Sequence, residues 1–253
     1  MSKVLSTSLL LFVWIFSFGQ RNQKMVFRFW NAKGKATTEE TKARFFTTTQ
    51  KLNDTCWQID NYNMMGPMVF SKQYKDKDGK VPHGRSAFMR EDGTLDSIGS
   101  FVNGKQNGRW MYFDNNAVLR AAKEYSMDEL LFTWNIGAGG IDQHNPFDDK
   151  PDTPAEFSGG TDNWTRYLIR NLRYPQYAMG NNIVGSVKVL FMVDEKGRVT
   201  DDIILKSAEF TLDNEARRLL HESHQWIPAT KNGQKVKSYQ QTSVQFKIAQ
   251  SQK

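Results

Sequence analysis

The stretch from Val187 to Leu205 constrains the fold more than any other part of the chain. Val187, Val189, Phe191 and Val193 alternate along it, Asp194-Glu195-Lys196-Gly197 carries turn chemistry, and Val199, Ile203 and Leu205 resume the apolar pattern. This spacing predicts two antiparallel strands joined by a tight turn. A two-stranded hairpin is marginally stable alone, so flanking helices must cover one of its faces.

Both covers are written into the neighbouring sequence. Thr161 or Asp162 is placed to cap a helix in which Trp164, Tyr167, Leu168 and Leu172 fall at i, i+3, i+4 and i+8, a single apolar stripe. Arg166, Arg170 and Arg173 form a basic stripe on another side. Pro175 ends that helix and opens a short second turn through Tyr177, Ala178 and Met179, closed by Gly180. Beyond the hairpin, Thr211 begins another helix with Asp213 and Glu215 in its first turn, where they favour the helix dipole. Leu212, Ala216, Leu219 and Leu220 form its buried face. Trp226-Ile227-Pro228 and the Asn232-Gly233 turn then lead to a last strand in which Val244, Phe246 and Ile248 alternate.

Upstream, the chain repeats itself. Segments opening at Gly66, Gly84 and Gly108 each alternate apolar and polar residues and then turn at Asp78-Gly79, Asp92-Gly93, Asn103-Gly104 or Asn115-Asn116. Gly84 and Gly108 stand 24 residues apart (108 minus 84). A period in this range marks stacked supersecondary units. Before the repeats, Val26-Phe27-Arg28-Phe29-Trp30 reads as a strand ending in the turn-prone Asn31 to Gly34, and Thr38 to Phe46 reads as a capped helix. Residues 137–156 are rich in Gly, Pro and Asp and read as a linker. Their aspartates lack the spacing of an EF-hand loop, so solvated linker charge is the better account of them. The division expected is therefore an export signal at 1–19, a β-rich domain at 20–136 with repeats over about 66–125, the linker, and an α/β domain at 157–250.

Two resemblances follow from these residues. The run Ser100 to Gly104 with Gly108-Arg109-Trp110-Met111-Tyr112 resembles the MORN-type repeat, which implies a curved β-meander serving as a scaffold or envelope-facing surface. Tyr74, Phe88, Phe101, Trp110, Tyr112 and Phe113 would then be the core of that meander, or aromatics on its concave face. The last hundred or so residues resemble the TonB C-terminal domain. The features that carry the likeness are Glu156 to Gly160, Tyr174-Pro175, Gly185 to Val199, Leu212 to Ala216, Trp226 with Pro228, and Val244 to Ile248.

The whole chain is thus expected to be α+β, with a C-terminal two-layer domain whose two helices pack on one face of a three-stranded antiparallel sheet. The resemblance further implies a partner. TonB domains grip a short extended segment, the TonB box, of outer-membrane transporters. An edge strand suits that task, because its unpaired N–H and C=O groups can accept an added peptide strand. By analogy the edge would be offered by Thr242, Ser243, Val244, Gln245, Phe246, Lys247 and Ile248, with Arg173, Tyr174 and Pro175 in the neighbouring loop. Tyr174 would supply an aromatic contact, or simply pack. The resemblance leaves open a homodimer through the same edge strand.

The N-terminus sets the compartment. Lys3 gives a positive start, Leu9 to Phe18 is nearly unbroken apolar sequence, and Ser17-Phe18-Gly19 places small residues where a signal peptidase reads, with cleavage between Gly19 and Gln20. The apolar run is shorter than the roughly 20 residues a membrane-spanning helix needs. A periplasmic protein is the expectation, with an uncleaved inner-membrane anchor facing the periplasm as the alternative. A true energy transducer needs such an anchor. Without one, the chain would act as a soluble TonB-domain binder, or as an envelope adaptor whose repeats contact lipid or cell wall.

Composition narrows the rest. The formal net charge is +7, yet basic and acidic residues are interspersed and no nucleic-acid motif occurs, so no nucleic-acid partner is expected. Cys56 is the only cysteine, which excludes intrachain disulfides and leaves a packed core to hold the fold. His221-Glu222-Ser223-His224 places its histidines one residue short of the zinc-protease spacing, and no nucleophile-base set or phosphate loop is present. No enzyme, metal or cofactor is expected.

Overall fold

The computed structural model describes residues 13–14, 25–135, 151–224 and 226–248. The cleavage pair Gly19-Gln20, the rest of the signal segment apart from Val13 and Trp14, and residues 137–150 of the linker lie outside the described residues. No helix among the described residues is long and apolar enough to cross a membrane.

The first half of the chain is one antiparallel sheet. Its strands are β1 (Val13–Trp14), β2 (Met25–Asn31), β3 (Ala36–Thr37), β4 (Ala43–Asn53), β5 (Cys56–Asn63) and β6 (Met68–Tyr74), followed by β7 (Pro82–Met89), β8 (Leu95–Val102), β9 (Lys105–Phe113), β10 (Leu119–Ser126) and β11 (Glu129–Asn135). Strand order follows chain order from β1 to β11, with β3 set aside as a partner of β2. Such a meander arises because each turn residue forces an immediate reversal. Asn103 and Gly104 both take positive φ, 54° and 83°, which is the backbone a two-residue hairpin loop requires.

One expectation fails here. Between Thr38 and Phe46 only a 3-10 turn forms, at Glu40–Lys42, and the remainder belongs to β4. Phe45, Phe46, Thr47, Thr48 and Thr49 are aromatic or β-branched and suit a pleated surface. Pairing with β2 on one side and β5 on the other outweighs the helical propensity of the Glu-Lys-Ala start.

The second half is built on the anticipated hairpin. Its elements are β12 (Glu156–Phe157), α1 (Gly160–Asn171), α2 (Gln176–Gly180), β13 (Gly185–Val193), β14 (Val199–Lys206) and α3 (Phe210–His221). They are followed by β15 (Trp226–Ile227), β16 (Ala229–Lys231), β17 (Gln234–Val236) and β18 (Ser238–Phe246). A three-stranded antiparallel sheet runs in the order β14-β13-β18. Val187, Val189, Phe191 and Val193 are fully buried and meet Trp164 of α1 and Leu212, Ala216, Leu219 and Leu220 of α3 in one core. α1 starts one residue before Thr161 and two before Asp162, capped instead by Gly159 in left-handed conformation (φ 82°) without a side-chain cap bond. The Asn232-Gly233 turn closes the small β16-β17 hairpin, and β18 starts after it.

β14 departs from the expected face. Ile204 points into the helix-side core, whereas Ile203 and Leu205 pack with Leu190 against Ala87, Leu95, Ile98 and Phe113 of the meander. The second face of the small sheet is therefore covered too, and the protein stacks helices, three-stranded sheet and meander. A second contact lies beside it: Phe210, at the start of α3, meets the rings of Phe27, Phe46 and Tyr62 edge-on at 5.5, 5.6 and 5.3 Å.

Candidate peptide-binding edge

β18 lies at the rim of its sheet and pairs with β13 from Gly185↔Phe246 to Val193↔Ser238. Its side chains divide cleanly. Thr242, Val244 and Phe246 turn toward the helices, where Trp164 Nε1 donates to Thr242 Oγ1 at 2.9 Å and Val244 and Phe246 are buried. Gln241, Ser243 and Gln245 are exposed on the opposite face, and Gln245 Nε2 donates to Ser186 Oγ at 2.8 Å. No further strand lies beyond β18 among the described residues. Its outward N–H and C=O groups are the kind that an extended peptide completes.

The strand is offset from the stretch expected. Ser238 to Gln241 extend it at the start, while Lys247 and Ile248 lie past its last paired residue. The expected loop and strand do come together: the Tyr174 ring stands perpendicular to that of Phe246 with centroids 5.8 Å apart. Tyr174 is half-buried, its hydroxyl donates to Ile183 O at 2.6 Å, and burial raises its pKa. Pro175, with φ −62°, is the extended N-cap residue just before α2. Arg173 is exposed, while its backbone N–H donates to Glu215 Oε1 at 2.7 Å. Tyr174 is thus a brace between loop and strand.

Glu215 and Arg218 were not anticipated in this role. Arg218 Nη2 donates to Glu215 Oε1 at 2.6 Å and to Asn171 O at 2.7 Å, tying the end of α1 and the Arg173 loop to α3. The hydrogen bond from the guanidinium to Glu215 raises the pKa of Arg218. The sequence placed Glu215 only in the first turn of this helix, and the i, i+3 spacing to Arg218 does not by itself reveal the bonds to the Arg173 loop.

The other rim of the sheet differs. At the end of β14, Lys206 forms a bridge with Thr94 and Ser207 N–H donates to Gly93 O at 2.9 Å, so the β7-β8 turn is seated there. Gly93 permits this approach: it has φ +81°, and a Cβ would lie 2.3 Å from Ser207 O. Beside this turn Asp213, fully buried, accepts from Ser207 Oγ at 2.5 Å, from Ala208 N–H at 3.1 Å and from the Tyr62 hydroxyl of the meander at 3.2 Å. Burial pushes its carboxyl up to about 7 despite these donors. No spacing in the sequence signalled this junction, because its two sides are far apart in the chain.

The remaining candidates are held in structural contacts. His221 Nε2 lies 3.0 Å from Asp202, which also receives Arg217 Nε at 2.8 Å. His83 Nδ1 accepts from Asn103 N–H at 3.3 Å. Cys56 is a half-buried free thiol whose pKa is raised by burial. Among the described residues no group of three or more His, Cys, Asp or Glu side chains could hold a metal ion.

Two layers of helix and antiparallel sheet, ending in an open strand braced by a Tyr-Pro loop, define a small two-layer α/β domain. Residues 170–248 match the family model described as Gram-negative bacterial TonB protein C-terminal. The match is to a transport-associated, non-enzymatic family whose members interact with outer-membrane TonB-dependent transporters, and it supports a TonB-like C-terminal region in this chain. It runs from the end of α1 past the end of β18 and leaves the meander outside. No curated protein matches the chain.

Proposed function

We propose that the protein is exported to the periplasm and binds an extended, TonB-box-like peptide of an outer-membrane transporter as an added strand on β18. The observation that carries this reading is the open rim of β18 within the matched stretch, on the side of the sheet away from the β14 rim, whose end is bridged to the meander at Lys206 and Thr94. Backbone pairing would supply affinity, and Gln241, Ser243 and Gln245 would meet alternate side chains of the peptide. The brace from Tyr174 to Phe246 would hold the strand end in register without touching the ligand. Energy transduction would require an N-terminus that stays in the membrane.

Titration with a TonB-box peptide tests the reading. Backbone amide shifts are expected along Gln240 to Phe246, and Ser243→Pro, which adds a ring and removes an N–H, is expected to abolish binding. Shifts confined to the meander would sink it.

A second reading has one observation of its own. On the meander face away from the small sheet, Lys72 sits 4.8 Å from the Phe70 ring and 4.4 Å from the Phe88 ring, a half-buried cation on an aromatic surface. An envelope adaptor would use such a surface. Retention on cell-wall or lipid preparations that vanishes in Lys72→Ala but survives Ser243→Pro would favour it.

A further inference from the structure

We propose that the outer edge of β11 pairs antiparallel with β11 of a second copy, joining two meanders about a two-fold axis. Among the described residues β11 ends the sheet and pairs with β10 alone. Three consecutive apolar side chains on it, Leu130, Leu131 and Phe132, are 50%, 56% and 54% exposed. Isolated exposed apolar residues are ordinary, but a run of three on an unpaired edge is a template for strand addition. Natural edges are blunted by lysine, proline or inward charge, and β11 has none of these; its one charged residue is Glu129, at the start.

The strand is also complementary to itself. Pairing with β10 is unbroken from Glu124↔Phe132 to Ala121↔Asn135, and the bulge lies before it, where Leu131 has no opposite residue. An antiparallel self-pair centred on Thr133 uses this regular part. It sets Phe132 of each copy against Trp134 of the other, Thr133 against Thr133, and Leu131 against Asn135. Aromatic and Thr-Thr cross-strand pairs are favourable, and the two Glu129 carboxylates fall at opposite ends, so no like charges meet. Within one copy Phe132 and Trp134 already pack at 4.6 Å, and the Arg109 guanidinium lies 5.2 Å from the Trp134 ring. The dimer gathers four rings between two guanidinium groups. β18 offers no equivalent surface, since its exposed side chains are Gln241, Ser243 and Gln245. A two-fold interface needs this self-complementarity, whereas a different protein partner does not. The contact is short, so the dimer is expected to be weak and concentration-dependent.

Sedimentation of the full chain over a dilution series of roughly two orders of magnitude tests the proposal. The mass is expected to rise toward twice that of the monomer, and Phe132→Lys is expected to hold it at the monomer value with an unchanged far-ultraviolet spectrum. Because that variant could perturb the sheet, a second measurement uses Thr133→Cys in a Cys56→Ser background, which under mild oxidation is expected to yield a covalent dimer. Two outcomes overturn the proposal. One is a constant monomer mass without cross-linking. The other is a dimer that survives Phe132→Lys and is lost on Ser243→Pro, which would place the contact at β18.

Discussion

The two faces of the β14-β13-β18 sheet are covered by different means. On the helix side Val187, Val189, Phe191 and Val193 are sealed by α1 and α3 in a core drawn from the C-terminal half, with Met89 as an added meander contact. On the meander side Leu190, Ile203 and Leu205 meet an apolar patch as well, but polar bonds flank it. They run from Tyr62 to Asp213, from Met68 N–H to Ser207 Oγ at 2.8 Å, and from Arg85 to Asp201 at 2.6 Å. Apolar burial is indifferent to pH, and a buried carboxylate is not. The first cover fixes the fold; the second is conditional.

That contrast can be broken most severely at Phe210. Phe210→Ala removes the ring that meets Phe27, Phe46 and Tyr62, and a loss of about 3–5 kcal/mol is expected by chemical denaturation. The helix-side core should persist, read as slow amide exchange at Val187 to Val193 under conditions where exchange at Tyr62 and Met68 has become fast. Gly93→Ala comes next. It forces an alanine into left-handed backbone, at about 1–2 kcal/mol, and drives a methyl against Ser207 O. Limited proteolysis is expected to release the two halves as separate fragments.

Smaller effects sharpen the conditional character. Asp213 is raised from 3.8 to about 7, so between these values the folded state holds a proton that the unfolded state has released. Its contribution is complete below about pH 4, falls as pH rises toward 7, and changes little above that. Asp202 is depressed, mainly by the Arg217 charge, and acts in the opposite sense, weakening the fold only at more acid pH. Thermal melts are expected to drop in midpoint from pH 4 to 7, and Asp213→Asn should flatten that slope. Tyr62→Phe deletes one donor to the carboxylate and is expected to cost about 1–2 kcal/mol above pH 7 and less below pH 4. Gln245→Ala, on an exposed face, is expected to change stability by no more than about 0.5 kcal/mol.

The same contrast explains what could be read from the sequence. The helix-side core was legible because periodicity encodes it: the stripe of Trp164, Tyr167, Leu168 and Leu172 and the alternation of Val187 to Val193 each point to one buried face. Turn pairs such as Asn103-Gly104 were legible because positive φ restricts residue type. The meander contact was not, because Ile203 and Leu205 look the same whether they face helices or a second sheet. Asp213 was read as a helix-dipole residue, and only the fold brings Tyr62 to it. β4 was misread because its pairing on both sides is a tertiary fact. At the candidate site, the Tyr174-Pro175 loop and the terminal strand were proposed through a family resemblance, while the bonds by which Glu215 and Arg218 tie that loop down could not be read, because they join residues far apart in the chain.

The bond from Tyr62 to Asp213 closes 151 residues of chain, and that from Met68 to Ser207 closes 139. A chain delivered N-terminus first can finish the meander while α3 has not yet emerged. During that interval Phe46, Tyr62 and Met68, which will meet Phe210, stand wet on a sheet that otherwise looks complete. Long-range closure of this kind is slow, so docking of the C-terminal half onto the meander is expected to come last in folding. Before docking, the aromatic face of the meander is exposed apolar surface, and a holdase that masks it is expected to raise the folded yield in a refolding assay.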